Sequence, residues 1–171
     1  MSTLRVDTIL GESGAERRGL MTYAVICDEK FHNVGGGTFT AGAWRTRDLD
    51  TKITDPDNIV SIANNQFTLG AGSYLIEAES MAHDVKRHIQ RMYNVTDSSI
   101  VGYGQPNYAD PGGNGSGAAR IVARVTITQN TAFEIHHRCE ETKANNGMGI
   151  SNDITSGIRN KYTIVKIFKE A

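Results

Sequence analysis

"QFTLGAGSYLIEAESMAHDVKRHIQRMYNVTD" (residues 66–97) holds a glycine-punctuated turn followed by two runs in which apolar and polar residues alternate. Successive side chains on a strand point to opposite faces, so period-two alternation marks strands with one buried side. In the first run Tyr74, Ile76, Ala78 and Ser80 share one face, and Leu75, Glu77 and Glu79 share the other. The second run, 87 to 95, sets Ile89, Tyr93 and Val95 against His88, Gln90, Met92 and Asn94. Its basic residues, Lys86, Arg87 and Arg91, are expected with His83 and His88 to form the solvated or subunit-facing side of the strand and its turn. An anion or glycan contact is the alternative.

The same period recurs on both sides of this stretch. Strands are expected at 20 to 28, 37 to 49, 58 to 62, 65 to 69, 99 to 104, 119 to 128, 132 to 140 and 161 to 168. In two of these, Ile121, Ala123, Val125 and Ile127 share a face, as do Phe133, Ile135, His137 and Cys139. No long window sustains the i, i+3, i+4, i+7 spacing of a helix. About ten strands with no helix between them leave no room for parallel crossover connections. The expected fold is therefore all-β, an antiparallel two-sheet sandwich.

The last strand, "KYTIVKIF" (161 to 168), is apolar on both sides: Tyr162, Ile164 and Phe168 on one, Thr163, Val165 and Ile167 on the other. A sandwich strand buries one face against its own core. The outward residues, Tyr162, Ile164 and Phe168, are expected to be covered by a neighbouring subunit. Cover from the chain's own N-terminal segment is the alternative.

Strand parity places the connections. Simple antiparallel alternation puts the connections at 83 to 86, 105 to 117 and 141 to 159 at one end, and the tight turns at 96 to 99 and 129 to 131 at the other. Long Gly- and Asn-rich loops on a rigid scaffold are where binding specificity tends to reside. "QPNYADPGGNGSG" (105 to 117) offers Tyr108 as a flat platform and Asn107, Asp110 and Asn114 as hydrogen-bonding groups, the mixture that sugar recognition needs. Asn145, Asn146 and Asp153 from "KANNGMGISNDITSG" (143 to 157) and His83 from the short connection complete the candidate receptor-binding set.

Composition bounds the rest. The 171 residues carry 22% charged and 39% hydrophobic side chains, as expected of one globular domain. With 18 Lys and Arg against 19 Asp and Glu, no overall field exists to hold nucleic acid or an anionic membrane. No apolar run reaches spanning length, and the first ten residues lack a signal-peptide core. A soluble product made in the cytoplasm is expected. Cys27 and Cys139 show no metal spacing and are expected to be buried free thiols. His136 and His137 alternate on one strand, so they cannot ligate one metal together. "DPDN" (55 to 58) lacks the glycine and distal glutamate of a calcium loop and reads as a turn. No nucleophile, HExxH or phosphate-loop motif occurs, so neither catalysis nor a cofactor is expected.

Several segments carry a family resemblance. "FTLGAGSYLIEAE" resembles the central signature of jelly-roll domains of the tumour necrosis factor and complement globular-head type. "GGGTFTAGAWRTRDLDT", "RMYNVTDSSIVGYG", "FEIHHRCEET" and "YTIVKIFKE" are similar to the C-terminal head domains of phage tail fibres and related virion proteins. The similarity covers about residues 21 to 171. It implies a non-enzymatic, homotrimeric jelly-roll head of a virion that recognises a host-surface receptor, with residues 1 to 20 as an arm joined to other tail proteins. A purely structural cap without receptor binding is the alternative. No shaft repeat, collagen triplet or heptad accompanies the head.

Overall fold

The computed structural model describes residues 22–112, 115–152 and 154–170. The expected arm (1 to 20), Asn114 and Asp153 lie outside the described residues. Twelve strands run in order: β1 (Thr22–Phe31), β2 (Arg45–Thr46), β3 (Thr51–Thr54), β4 (Val60–Ala63), β5 (Gln66–Leu69), β6 (Gly72–His83), β7 (Lys86–Asn94), β8 (Ser99–Tyr103), β9 (Asn107–Ala109), β10 (Ser116–Ile127), β11 (Thr131–Cys139) and β12 (Arg159–Lys169). There is no helix among the described residues. The strands form a jelly-roll sandwich of two antiparallel sheets. One has five strands in the order β10-β6-β12-β1-β3; the other has seven, β4-β5-β11-β7-β8 with β2 paired to β11 and β9 to β7.

Alternation decides which face of each strand is inside. On β6, Tyr74, Ile76, Ala78 and Ser80 are buried. Ile76 pairs with Ala123 on one side and Ile167 on the other, and Ala78 with Ile121 and Val165. The facing sheet supplies Phe67 and Phe133, stacked at 5.5 Å between centroids, with Met92 and Ile135. Burying each of these large side chains contributes about 1.5–3 kcal/mol.

Two expectations about the strands fail. The segment 37 to 49 is no continuous strand: Gly37 and Gly42 take φ of +107° and +90°, which break the extended run, leaving only an isolated bridge at Phe39 and the two residues of β2. In exchange β3 and β9 appear, where a connection and a loop were expected.

The core is not apolar throughout. The main cluster is separated from a smaller one, formed by Phe39, Ala82, Val85, Ala109 and Cys139, by a layer of inward polar side chains: Ser80, His88, Gln90, His137, Thr163 and Arg47. The expectation that His88 lies on a wet or subunit-facing side is therefore overturned. His88, Gln90, Met92 and Asn94 are the buried face of β7, and Arg87, Ile89, Arg91 and Tyr93 the outward one.

The last strand needs a further correction. Thr163, Val165 and Ile167 point inward and are fully buried. Of the outward trio, Tyr162 is only 3% exposed in the single chain, its hydroxyl donating to Val34 O at 2.7 Å. The loops that cap β12 cover it, so it is not a subunit-facing residue of a free chain. Ile164 and Phe168 remain half-buried, among outward Tyr23, Leu75 and Val122, which are 39%, 36% and 65% exposed.

Candidate functional site

Three connections meet at one end of the sandwich. The turn after β6 is made by Asp84 and Lys86 at φ of 53° and 58°. Its His83 N–H donates to Gly147 O (3.0 Å) and its Asp84 N–H to Gly115 O (3.0 Å), which ties the 84-85 turn to both long loops. Lys143 Nζ reaches the Asp84 carboxylate at 2.7 Å, and Lys86 pairs with Glu141. A fourth segment joins them: Phe39 and Lys143 exchange backbone hydrogen bonds, and Gly36 N–H donates to Gly149 O.

The loop 141 to 158 is fastened from beneath by Arg47. This side chain is fully buried; its Nε donates to Thr163 Oγ1 (2.8 Å), and its Nη2 to Tyr162 O (3.0 Å) and Met148 O (2.9 Å). Burial lowers the guanidinium pKa to about 10, against the pull of Asp28 and Asp48. Gly149, at φ +136°, lies so close to the Tyr162 ring that a Cβ would overlap it. Glycine is required there both by conformation and by space.

Next to Arg47 stand two buried histidines, with His88 Nδ1 3.0 Å from His137 Nε2. One of those nitrogens donates and the other accepts, according to the tautomer. Burial, then the charge of Arg47, lowers the His88 pKa to about 4 and holds His137 well below the ordinary histidine value. Cys27 and Cys139 are buried and free, and burial raises both thiols to about 11, which leaves them unreactive at neutral pH.

The candidate receptor-binding residues separate into distinct groups. Tyr108 is half exposed and sits on β9 opposite the outward Arg87. Asn145 is exposed at φ 62°, with its N–H on Thr38 Oγ1. Asn107 is exposed, but its amide is committed within the chain, donating to Ala118 O on β10 (2.8 Å) and accepting from Tyr108 N–H (2.7 Å). The Asp110 carboxylate accepts from Gly112 N–H and closes a local turn. Asn146 is half-buried and packs on Gly35.

His83 departs from expectation. It is 3% exposed, with Nδ1 on Ser116 Oγ (2.9 Å) and Nε2 3.3 Å from Asp84, so it braces the loops and presents nothing to a ligand. By alternation His83 follows the outward Leu75, Glu77 and Glu79; it is the contacts of the turn and loops that bury it.

Sequence reasoning passed over Arg47, Asp84 and Lys143. Arg47 sat in a segment read as a strand. Its signal is a second arginine, after Arg45, flanked by Thr46 and Asp48 just before the apolar Leu49.

No family model matches the chain, and no curated protein sequence matches it. Solved structures do. Murine APRIL at pH 8.0 superposes with a TM-score of 0.57 at 8% identity, over 88% of this chain and 99% of that one. The globular domain of zebrafish complement 1qA gives 0.56 at 12% identity, over 88% and 98%. Murine APRIL at pH 5.0 gives 0.52 at 8% identity, over 86% and 99%. At such identities the likeness is one of fold, and the chain shares the jelly-roll fold of these heads.

Proposed function

We propose that this chain is the non-enzymatic head of a phage tail fibre or spike, which trimerises and presents its loop end to a host-surface glycan. The observation that carries the reading is the outward face of the five-stranded sheet. Tyr23, Leu75, Val122, Ile164 and Phe168 line it, and its charges are already neutralised in pairs: Arg120 with Glu79, Arg124 with Glu170 and Lys166 with Glu77. Apolar side chains among internally paired charges can be covered without stranding an ion. Each one fully covered contributes about 1.5–3 kcal/mol before association entropy is subtracted.

Three copies so joined turn their loop ends the same way. Tyr108 and Asn145 are the groups there that remain open to a sugar, with residues 1 to 20 as the arm that joins other tail proteins. Light scattering after size separation tests the assembly. The expected mass is three times the 18.6 kDa of the chain, and Val122→Arg is expected to give monomers; a wild-type monomer at micromolar concentration refutes the reading.

A second reading, a structural cap without a receptor, is favoured by the internal commitments of Asn107 and Asp110. Adsorption of the purified protein to intact bacteria separates the two. Loss of adsorption in Tyr108→Ala supports receptor binding, and adsorption absent from the wild-type trimer supports the cap.

A further inference from the structure

The outward face of the seven-stranded sheet differs from that of the five-stranded sheet in one respect: two of its arginines have no acid. Among the described residues neither Arg91 nor Arg138 has a carboxylate within ion-pair reach, whereas Arg87 beside them pairs with Glu140. Arg91 is nevertheless fixed. Its Nε and Nη2 both lie 3.1 Å from His136 Nδ1; His136 Nε2 is 2.7 Å from Glu134 Oε2; and Glu134 is held by Gln66 (2.8 Å) and Thr46 (3.1 Å). Arginine can only donate, so His136 Nδ1 accepts and Nε2 carries the proton to Glu134. The chain of contacts leaves Arg91 Nη1 without a protein acceptor.

Aromatic rings surround that guanidinium. Its Cζ lies 4.4 Å from the Trp44 ring centre and 5.4 Å from that of Tyr93, and Trp44 stands 5.9 Å from the 59% exposed Tyr103. Ile89, about 7 Å further along the same face of β7, floors a shallow depression of about 290 Å³ walled by Pro106, the exposed Arg138 and the Arg87–Glu140 pair, whose carboxylate is already matched. Arg138 and Ile89 are register partners.

We propose that this face is a binding site for a carboxylated sugar, its ring lying on the Ile89 floor and its carboxylate on the Arg138 fork, with Nη1 of Arg91, the guanidinium stacked on Trp44, as a second donor. A planar guanidinium matches a carboxylate in two parallel hydrogen bonds, and an apolar floor takes the apolar face of a sugar. The floor belongs to β7 and β11, which have strands on both sides. It offers no open backbone edge, so an acidic peptide gains nothing from main-chain pairing there. The site does not depend on the loop end being a receptor contact.

Trp44 is the single tryptophan of the chain and stacks on Arg91, so its emission reports the Arg91 end of the site. The full chain is titrated with trigalacturonate, with neutral maltotriose and with triglutamate. A saturable change with trigalacturonate alone is expected. Arg138→Gln is expected to weaken it about ten-fold or more, and Arg138→Lys less, because the charge stays and the fork is lost. Arg138 is exposed, and unchanged far-ultraviolet dichroism shows that the variants fold. No response to trigalacturonate, an equal response to maltotriose or triglutamate, or undiminished binding by Arg138→Gln overturns the proposal.

Discussion

Acidification to pH 5 is expected to loosen this fold through the two buried histidines. Both have their folded pKa depressed, His88 to about 4, while in the unfolded chain each titrates near 6.5. Above pH 6.5 both states are neutral and the histidines leave stability unchanged. Below it the unfolded chain takes up protons that the folded chain refuses, so stability falls with pH down to the folded value. From pH 7.5 to 5.0 His88 alone removes about 2 kcal/mol, a fall in Tm of about 4–8 °C for a domain of this size; His137 acts in the same direction.

Three carboxyls also shift, Asp28, Glu134 and the exposed Glu170, which its hydrogen bond from Arg124 lowers. Burial raises the Asp28 carboxyl, outweighing its bond to Lys30, so protonation there favours the folded state. Burial also pushes the Glu134 carboxyl up, but hydrogen bonds from His136, Gln66 and Thr46 hold it below its ordinary value. Its contribution is lost only as the pH falls below 4.5. Calorimetry at fixed protein concentration, on the wild type and on the double variant His88→Asn with His137→Gln, isolates the pair. Those amides keep a polar atom where His88 Nδ1 and His137 Nε2 meet, and they carry no titrating proton. The reasoning is refuted if the wild-type Tm falls by less than about 3 °C, or if the double variant falls as far as the wild type.

The same layer supports two further predictions. Arg47→Met leaves Thr163 Oγ1 and two backbone carbonyls without their donor and is expected to cost about 2–4 kcal/mol, seen as a lower urea midpoint. It also removes the charge that depresses both histidines, so the loss of Tm between pH 7.5 and 5.0 is expected to shrink. Gly149→Ala meets both the Tyr162 ring and a left-handed backbone and is expected to destabilise by about 2–3 kcal/mol; proteolysis is expected to cut first between 141 and 158, and equal cutting in wild type and variant would contradict this.

Period two made most of the sandwich legible. Tyr74, Ile76 and Ala78, the set Ile121 to Ile127, and the set Phe133 to Cys139 all face inward as read. β3 was missed although Thr51 and Ile53 alternate with polar neighbours, because four residues carry little periodic signal. β9 was missed because three residues of mixed polarity between Pro106 and the glycine loop look like the loop itself. Its strand character comes from pairing with β7, which is a tertiary fact.

β7 shows where the reading of period gave the right partition and the wrong side. His88, Gln90, Met92 and Asn94 were grouped together, but His88 was expected with Arg87 and Arg91 on the solvated or subunit-facing side, where only the two arginines lie. Antiparallel pairing with β11 decides it: His88 lies opposite Cys139, Gln90 opposite His137 and Met92 opposite Ile135. Partners across an antiparallel ladder share a face, and Phe133, Ile135 and Cys139 are inward by their own alternation. His88 and Gln90 are therefore inward as well, and the polar layer between the two apolar clusters follows.

That layer sits between the main core and the loop end. The Trp44 and Arg91 pairing was beyond reach of the same logic, since it joins the residue before the two-residue β2 to a partner across β11 that no local pattern names. Both loop-bearing ends and sheet faces thus depend on contacts far apart in sequence. Arg47 makes the dependence concrete: it binds β12 and the 141 to 158 loop at once, so the pose of that loop is fixed by the buried polar layer, and a perturbation of the layer reaches the surface without any residue there being changed.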